Sequence, residues 1–246
     1  MCGFAGFVGE VENREQVLEN MIDTIIHRGP DSSGKFVDED AALGFRRLSI
    51  IDLSESGDQP LYNEDRSKVL VFNGEIYNYQ ELREELIQAG HTFVSNTDSE
   101  TLIHGYEQWG EELVYRLRGM YAFAIWDQKA KRLFSARDIF GIKPLYYAQM
   151  NGTLMFGSEI KSFLEHPKFD KVFNEDALGN YLSFQFVPTN ETFFKGVFCV
   201  QPGHYFVYEN GKMTIKRYFE PNFTGDTTKS FEEVVDDIEK VMKESV

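Results

Sequence analysis

Cysteine is scarce, with only Cys2 and Cys199 in 246 residues. Two thiols cannot build the disulfide framework that staples small secreted domains. Cations are also few, 25 Lys and Arg against 40 Asp and Glu, a formal charge of −15. That balance argues against an extended nucleic-acid surface, which needs clustered Lys and Arg, and disfavours an anionic membrane. No apolar run reaches the ~20 residues of a spanning helix. No charged n-region followed by an apolar h-region opens the chain. A soluble protein in a reducing, cytoplasmic setting is expected. The five histidines are scattered, and no H-x-x-x-H or C-x-x-C spacing occurs, so no metal is expected.

Aromatics are plentiful at 15%, within a hydrophobic share of 42%, enough to fill the core of one large domain. Residues 3–9 read as a strand and Arg14 to Ile26 as an amphipathic helix, with Val17, Leu18, Met21, Ile22 and Ile25 on one face. A loop over Asp31–Gly34 leads to strands near Lys35–Val37 and Ala42–Ile51. The run Val69–Phe72 suits a buried strand, and Asn73-Gly74 after it is a strong turn signal. Asn78-x-x-Glu81 and Thr97-x-x-Glu100 have capping-box spacing and open helices. Strands are expected at Tyr121–Trp126, Arg132–Arg137, Pro144–Ala148, Thr153–Gly157, Thr192–Phe194, His204–Tyr208 and Thr214–Tyr218. Short helices are expected over Glu159–Leu164 and Glu175–Phe184, and Asn210-Gly211 marks a hairpin. Residues 221–229 read as a linker. Ser230-x-x-Glu233 caps a last helix whose apolar stripe has nothing in the sequence to meet. Residues 1–220 are therefore expected to form one domain, and 221–246 the linker and first helix of a domain cut short here.

The stretch Met1-Cys2-Gly3-Phe4 could carry chemistry. Removal of Met1 would leave Cys2 with a thiol and an α-amine of pKa ~7.7–8.0, far more often neutral than a lysine amine. One residue would then supply nucleophile and general base. Taken alone, Cys2 is better explained as a small buried hydrophobe. Arg46 and Arg47 alternate on a strand, so only one can enter a cleft, where a guanidinium would suit a carboxylate. Asn73 and Gly74 could donate to an oxyanion, although a turn explains them alone. Asp98, in a first helical turn, is favoured there by the helix dipole, and as an exposed cap it would keep its charge for an ammonium. His27 to Gly34 lacks the G-x-x-x-x-G-K-[ST] pattern of a nucleotide cradle.

Jointly, these groups make an amidase for an amino-acid amide, which is glutamine. The chain resembles the class II glutamine amidotransferases, N-terminal nucleophile hydrolases, and among them the glutaminase domain of asparagine synthetase. The resemblance rests on Met-Cys-Gly at the start, His27–Asp31, Arg47–Ile51, Gln59–Leu61, Asn73–Asn78, Asp98–Glu100, Arg137–Tyr147 and Ser158–Lys161. It runs in order along essentially the whole chain. It implies an α+β fold, a four-layer αββα sandwich of two facing antiparallel sheets. It implies Cys2 as nucleophile, with Asn73 and Gly74 as the oxyanion hole. Glutamine would be bound by Arg47, Leu48, Ser49, Ile50, Ile51, Asn73, Gly74, Glu75 and Asp98. Arg47 would take its carboxylate and Asp98 its ammonium.

The family's second domain activates aspartate with ATP and begins with a Ser-Gly-Gly-x-Asp-Ser loop. No such run occurs here, so ATP and Mg are expected only with that absent domain, and no cofactor is expected in this chain. The expected partners are L-glutamine and a C-terminal synthetase domain, and the resemblance leaves a homodimer open. Two rivals stand beside this reading. One is an amidotransferase feeding a sugar-phosphate or phosphoribosyl acceptor, and the other a non-catalytic relative acting as a binding module.

Overall fold

The computed structural model describes residues 2–48, 57–225 and 228–245. In chain order the regular elements are β1 (Gly3–Val8), α1 (Arg14–Asp23), β2 (Ser32–Val37), β3 (Ala41–Arg47), β4 (Leu61–Tyr62) and β5 (Lys68–Ile76). Then come α2 (Tyr79–Gln88), α3 (Asp98–Trp109), β6 (Gly119–Asp127), β7 (Arg132–Arg137), β8 (Tyr146–Met150) and β9 (Thr153–Gly157). Last are α4 (Glu175–Phe184), β10 (Val197–Cys199), β11 (His204–Glu209), β12 (Lys212–Arg217) and α5 (Phe231–Glu244). The strands form two six-stranded sheets, ordered β10-β8-β9-β1-β3-β2 and β12-β11-β7-β6-β5-β4. The pairings within both are antiparallel.

Alternation along the strands builds four layers, because successive side chains leave a strand on opposite faces. Phe4, Leu43 and Phe45 of the first sheet meet Val71, Ala124 and Trp126 of the second in the central core. Ala5, Phe7 and Ala42 point the other way and meet Leu18, Met21 and Ile22 of α1. Phe72, Phe123 and Ile125 leave the second sheet outward onto Leu82 of α2 and Leu102, Ile103 and Tyr106 of α3. Each large apolar side chain so buried contributes ~1.5–3 kcal/mol against exposure. The order helix, sheet, sheet, helix is the expected αββα sandwich.

Several boundaries differ from the sequence reading. The first helix stops at Asp23 rather than Ile26, yet Ile25 stays buried because a tight turn continues, with Ile25 N–H on Ile22 O at 3.1 Å. Ser32 and Ser33, expected in a loop, pair with Arg47 and Arg46. Asn73-Gly74 makes no turn; both stay in the ladder, opposite Ala122 and Tyr121. Two expected capping boxes are absent. The Asn78 side chain serves Arg116 and Arg118 instead, and Glu100 reaches back to the N–H groups of Val94 and Ser95. Residues 160–165 form a 3-10 helix, and Thr192–Phe194 contributes only one isolated bridge, from Phe194 to Phe173. The Ser230 capping box is present, and Asn210 and Gly211 turn the β11–β12 hairpin at φ 52° and 75°.

Candidate active site

Cys2 stands at the mouth of β1 and packs against the central core. The strand behind it is pinned: Phe4 N–H donates to Ser158 Oγ at 3.1 Å, and Ser158 N–H donates to Phe4 O at 2.9 Å. Arg28 donates from Nε to Cys2 O at 3.0 Å and from Nη1 to Glu159 at 3.0 Å. A Cβ on Gly3 would lie 2.8 Å from Arg28 Cδ, so the bare glycine admits this clamp. Gly29 lets the loop cross β3, where a Cβ would come within 2.3 Å of the Arg46 carbonyl. The thiol sits against Leu48, with Leu48 N–H 3.4 Å and Leu48 O 3.6 Å from Sγ.

The arginine pair divides as alternation requires. Arg46 points to the outer face, bonding Ile22 O and the Asp23 carboxylate of α1. Arg47 lies on the face of Leu43 and Phe45, is buried, and donates from Nη1 to Asp58 at 2.8 Å. A Cβ on Gly57 would stand 2.4 Å from Arg47 Nη2, so this guanidinium is closely packed. Asp58 is exposed, and a carboxylate ligand could share the guanidinium with it. Ser49, Ile50 and Ile51 lie outside the described residues.

Across the gap, Asn73 follows Val69 and Val71 at intervals of two, so its side chain faces the first sheet, as those of Cys2 and Arg47 face the second. Asn73 is buried, and its Nδ2 finds no acceptor among the described residues. A buried donor without a partner costs ~1–3 kcal/mol, a cost that an acceptor placed beside it would remove. Gly74 is sterically obliged, since a Cβ would lie 2.3 Å from Met120 O. β4 pairs with Val69 and Leu70 of β5, and among the described residues no strand pairs with that edge beyond Leu70. On it Phe72 N–H donates to Gln59 Oε1 at 2.6 Å and Ile76 N–H to Asp98 Oδ2 at 2.8 Å. The two-residue repeat turns the Gly74 N–H the same way, between those acceptors.

Asp98 differs from its expectation. It opens α3, but it is partly buried, and burial pushes its carboxyl up to about 6, with the neighbouring Glu75 adding to the rise. Glu75 is itself raised by burial and eased by Lys143. Two carboxylates of raised pKa at one sheet edge favour a cation between them. Lys143 is placed by the Arg137–Tyr147 loop, in which the buried Asp138 accepts from the N–H groups of Tyr121, Phe140, Ile142 and Lys143.

Arg28, Gln59 and Ser158 carry supporting roles that sequence reasoning did not assign. Their only signal was their place in the quoted stretches, since each acts on main chain far away in sequence. No helix among the described residues is long and apolar enough to cross a membrane.

A four-layer sandwich with a cysteine at the head of a central strand is the architecture of the N-terminal nucleophile hydrolases. The glutamine amidotransferase domain family matches residues 1–219, and the chain belongs to that family. It is 46% identical over 229 residues to "Asparagine synthetase [glutamine-hydrolyzing] 1" of Bacillus subtilis, covering 91% of this chain and 36% of that protein. It is 36% identical over 263 residues to "Amidase chyE" of Penicillium rubens, covering 100% of this chain and 38% of that one. The chain thus spans less than half the length of these curated relatives. Among solved structures, the glutamine phosphoribosylpyrophosphate amidotransferase of B. subtilis superposes with a TM-score of 0.66 at 21% identity, over 89% of this chain and 50% of that one. That likeness concerns the fold.

Proposed function

We propose that this domain hydrolyses the side-chain amide of glutamine, with Cys2 as nucleophile. The observation that carries the reading is that strand alternation turns Cys2, Arg47 and Asn73 toward the space between the sheets, where the buried Asn73 amide nitrogen has no acceptor among the described residues. With Met1 removed, the Cys2 amine takes the thiol proton, directly or through a water, and sulfur attacks the amide carbon. Asn73 Nδ2 and the Gly74 N–H stabilise the tetrahedral oxyanion. The charged amine protonates the leaving nitrogen, and ammonia departs. Water then cleaves the γ-glutamyl thioester, giving glutamate and the free thiol. Arg47 holds the substrate carboxylate, while Asp98 and Glu75 receive its ammonium. Leu48, whose main chain meets the Cys2 thiol, is assigned to the same glutamine-binding stretch.

The acceptor of the ammonia is proposed to be ATP-activated aspartate in a longer protein. The resemblance to glutamine-hydrolysing asparagine synthetases supports this. Residues 1–220 would be the amidotransferase domain and 221–246 the linker and first helix of the synthetase domain. In keeping with this, Ile238, Val241 and Met242 of α5 are exposed along one stripe. ATP and Mg would be held by the remainder of that synthetase domain, and no residue of this chain is assigned to them. A cytoplasmic setting fits two free cysteines, one of which must stay reduced. Glutamine-dependent ammonia release by this chain, lost in Cys2→Ala, tests the reading. Equal release by that variant contradicts it.

A further inference from the structure

Away from the gap between the sheets, four side chains from three parts of the sequence converge. Glu64 lies in the β4–β5 turn, His91 in the α2–α3 connection, and His104 and Glu107 on one face of α3. His104 Nδ1 is 3.1 Å from Glu107 Oε2 and 3.6 Å from Glu64 Oε2, and His91 Nδ1 is 3.8 Å from Glu107 Oε2. One donor atom from each of the four falls within 4.8 Å of the others. Bonds of ~2.0–2.1 Å to a tetrahedral ion put neighbouring donors ~3.3 Å apart. Three donor pairs stand at 3.1, 3.6 and 3.8 Å and the remainder within 4.8 Å, so a side-chain contraction of about an ångström would close such a shell.

The atoms turned away from the cluster are held as well. His91 Nε2 meets Gln108 Oε1 at 3.2 Å, which fixes the proton there and leaves the Nδ1 lone pair facing inward. His104 Nε2 stands 3.5 Å from the buried carboxylate of Glu100. Glu107 Oε1 accepts from Asn63 Nδ2 at 2.7 Å, and Glu64 Oε1 accepts from Thr92 N–H at 3.4 Å. His91, Glu107 and Glu64 thus each have one atom aimed inward and the other hydrogen-bonded outside, whereas the buried His104 Nε2 makes no hydrogen bond among the described residues and is held only by its nearness to the Glu100 carboxylate. The arrangement of those three is how ligands to a metal are oriented. His104 is buried and Glu64 exposed, so the cluster opens to solvent on one side.

We propose that Glu64, His91, His104 and Glu107 form a site for a divalent transition metal, best matched by zinc. Two imidazoles and two carboxylates suit that ion. The expectation of no metal rested on spacing along the chain, whereas here the ligands are gathered by α3 packing between a hairpin and a connection. The ion would fasten the α2–α3 connection to the helix whose first residue is Asp98. His104 follows Asp98 by six residues, ~9 Å along the axis. The competing arrangement is a protonated His104 among Glu64, Glu100 and Glu107, with Lys68 approaching Glu107 at 4.0 Å from outside.

The test uses the full chain in a Cys2→Ser background, stripped with chelator and titrated calorimetrically with Zn2+. A parallel Co2+ titration is read by visible absorption. One saturable equivalent and the intense ligand-field bands of tetrahedral Co2+ are expected. His91→Gln and Glu107→Gln should each weaken Zn2+ at least tenfold, and Gln108→Ala ~10–100-fold. These surface-side changes avoid the folding risk of replacing buried His104. Absence of saturable Zn2+ binding, or unchanged affinity in both His91→Gln and Glu107→Gln, overturns the proposal. Neither result bears on glutamine hydrolysis.

Discussion

Arg28 Nε donates to the carbonyl oxygen of Cys2 at 3.0 Å, while its Nη1 holds Glu159. The thiol is therefore aimed by its own main chain, fixed from a neighbouring loop. A lysine offers a point charge without the planar fork. Arg28→Lys is expected to lower kcat ~10–100-fold, the scale of one charge-assisted hydrogen bond at ~1.5–3 kcal/mol. KM for glutamine should stay within about twofold, because Arg28 meets no substrate in this account. Steady-state kinetics separate the two constants.

Asn73→Ala should cost ~10²–10³ in kcat, as loss of one oxyanion donor does elsewhere. Its thermal midpoint should not fall on account of a lost amide bond, because Nδ2 has no acceptor among the described residues. A structural Asn73 would show the opposite pattern, with stability lost and kcat kept. Calorimetry beside the kinetic assay distinguishes them.

Arg47→Lys is expected to raise KM for glutamine at least tenfold, while Arg46→Lys leaves KM nearly unchanged. The reason is the division of faces: Arg46 is tied to Ile22 and Asp23 of α1, and Arg47 enters the gap. Paired glutamine titrations of the two variants check this.

Asp98 sets a pH dependence. Its carboxyl is pushed up to about 6 by burial, so the charge that receives the ammonium is lost as pH falls through that value. kcat/KM for glutamine should decline below about pH 6, approaching tenfold per unit, and Asp98→Asn should remove the inflection. Linkage gives a second sign. An acid whose folded pKa exceeds its unfolded value of 3.8 destabilises the fold above about pH 6 and ceases to do so as pH falls through the window between the two. Asp98→Asn should therefore raise the unfolding temperature at pH 8 and leave it nearly unchanged at pH 3.5.

Much of this was legible in the sequence because period-two alternation decides which face a strand residue takes. That rule separated Arg46 from Arg47, and it sets Val71 inward and Phe72 outward. The turn signal of Asn73-Gly74 misled instead, because local turn propensity is outweighed by ladder pairing with Ala122 and Tyr121, while the alternation continues through both. Asp98 was read as exposed because a helix start is exposed on average; its burial comes from β5, whose Ile76 N–H it accepts. Glu64, His91 and His104 could not be grouped by spacing, since only tertiary packing brings them together.

The central claim is that Cys2 carries the γ-glutamyl group. Intact-mass spectrometry of the chain, acid-quenched during glutamine turnover, tests it most directly. The account predicts a chain lacking Met1 that gains one γ-glutamyl mass, mapped by peptide analysis to Cys2 and absent from Cys2→Ala. Turnover with Met1 still attached, or with the adduct on any other residue, would contradict it.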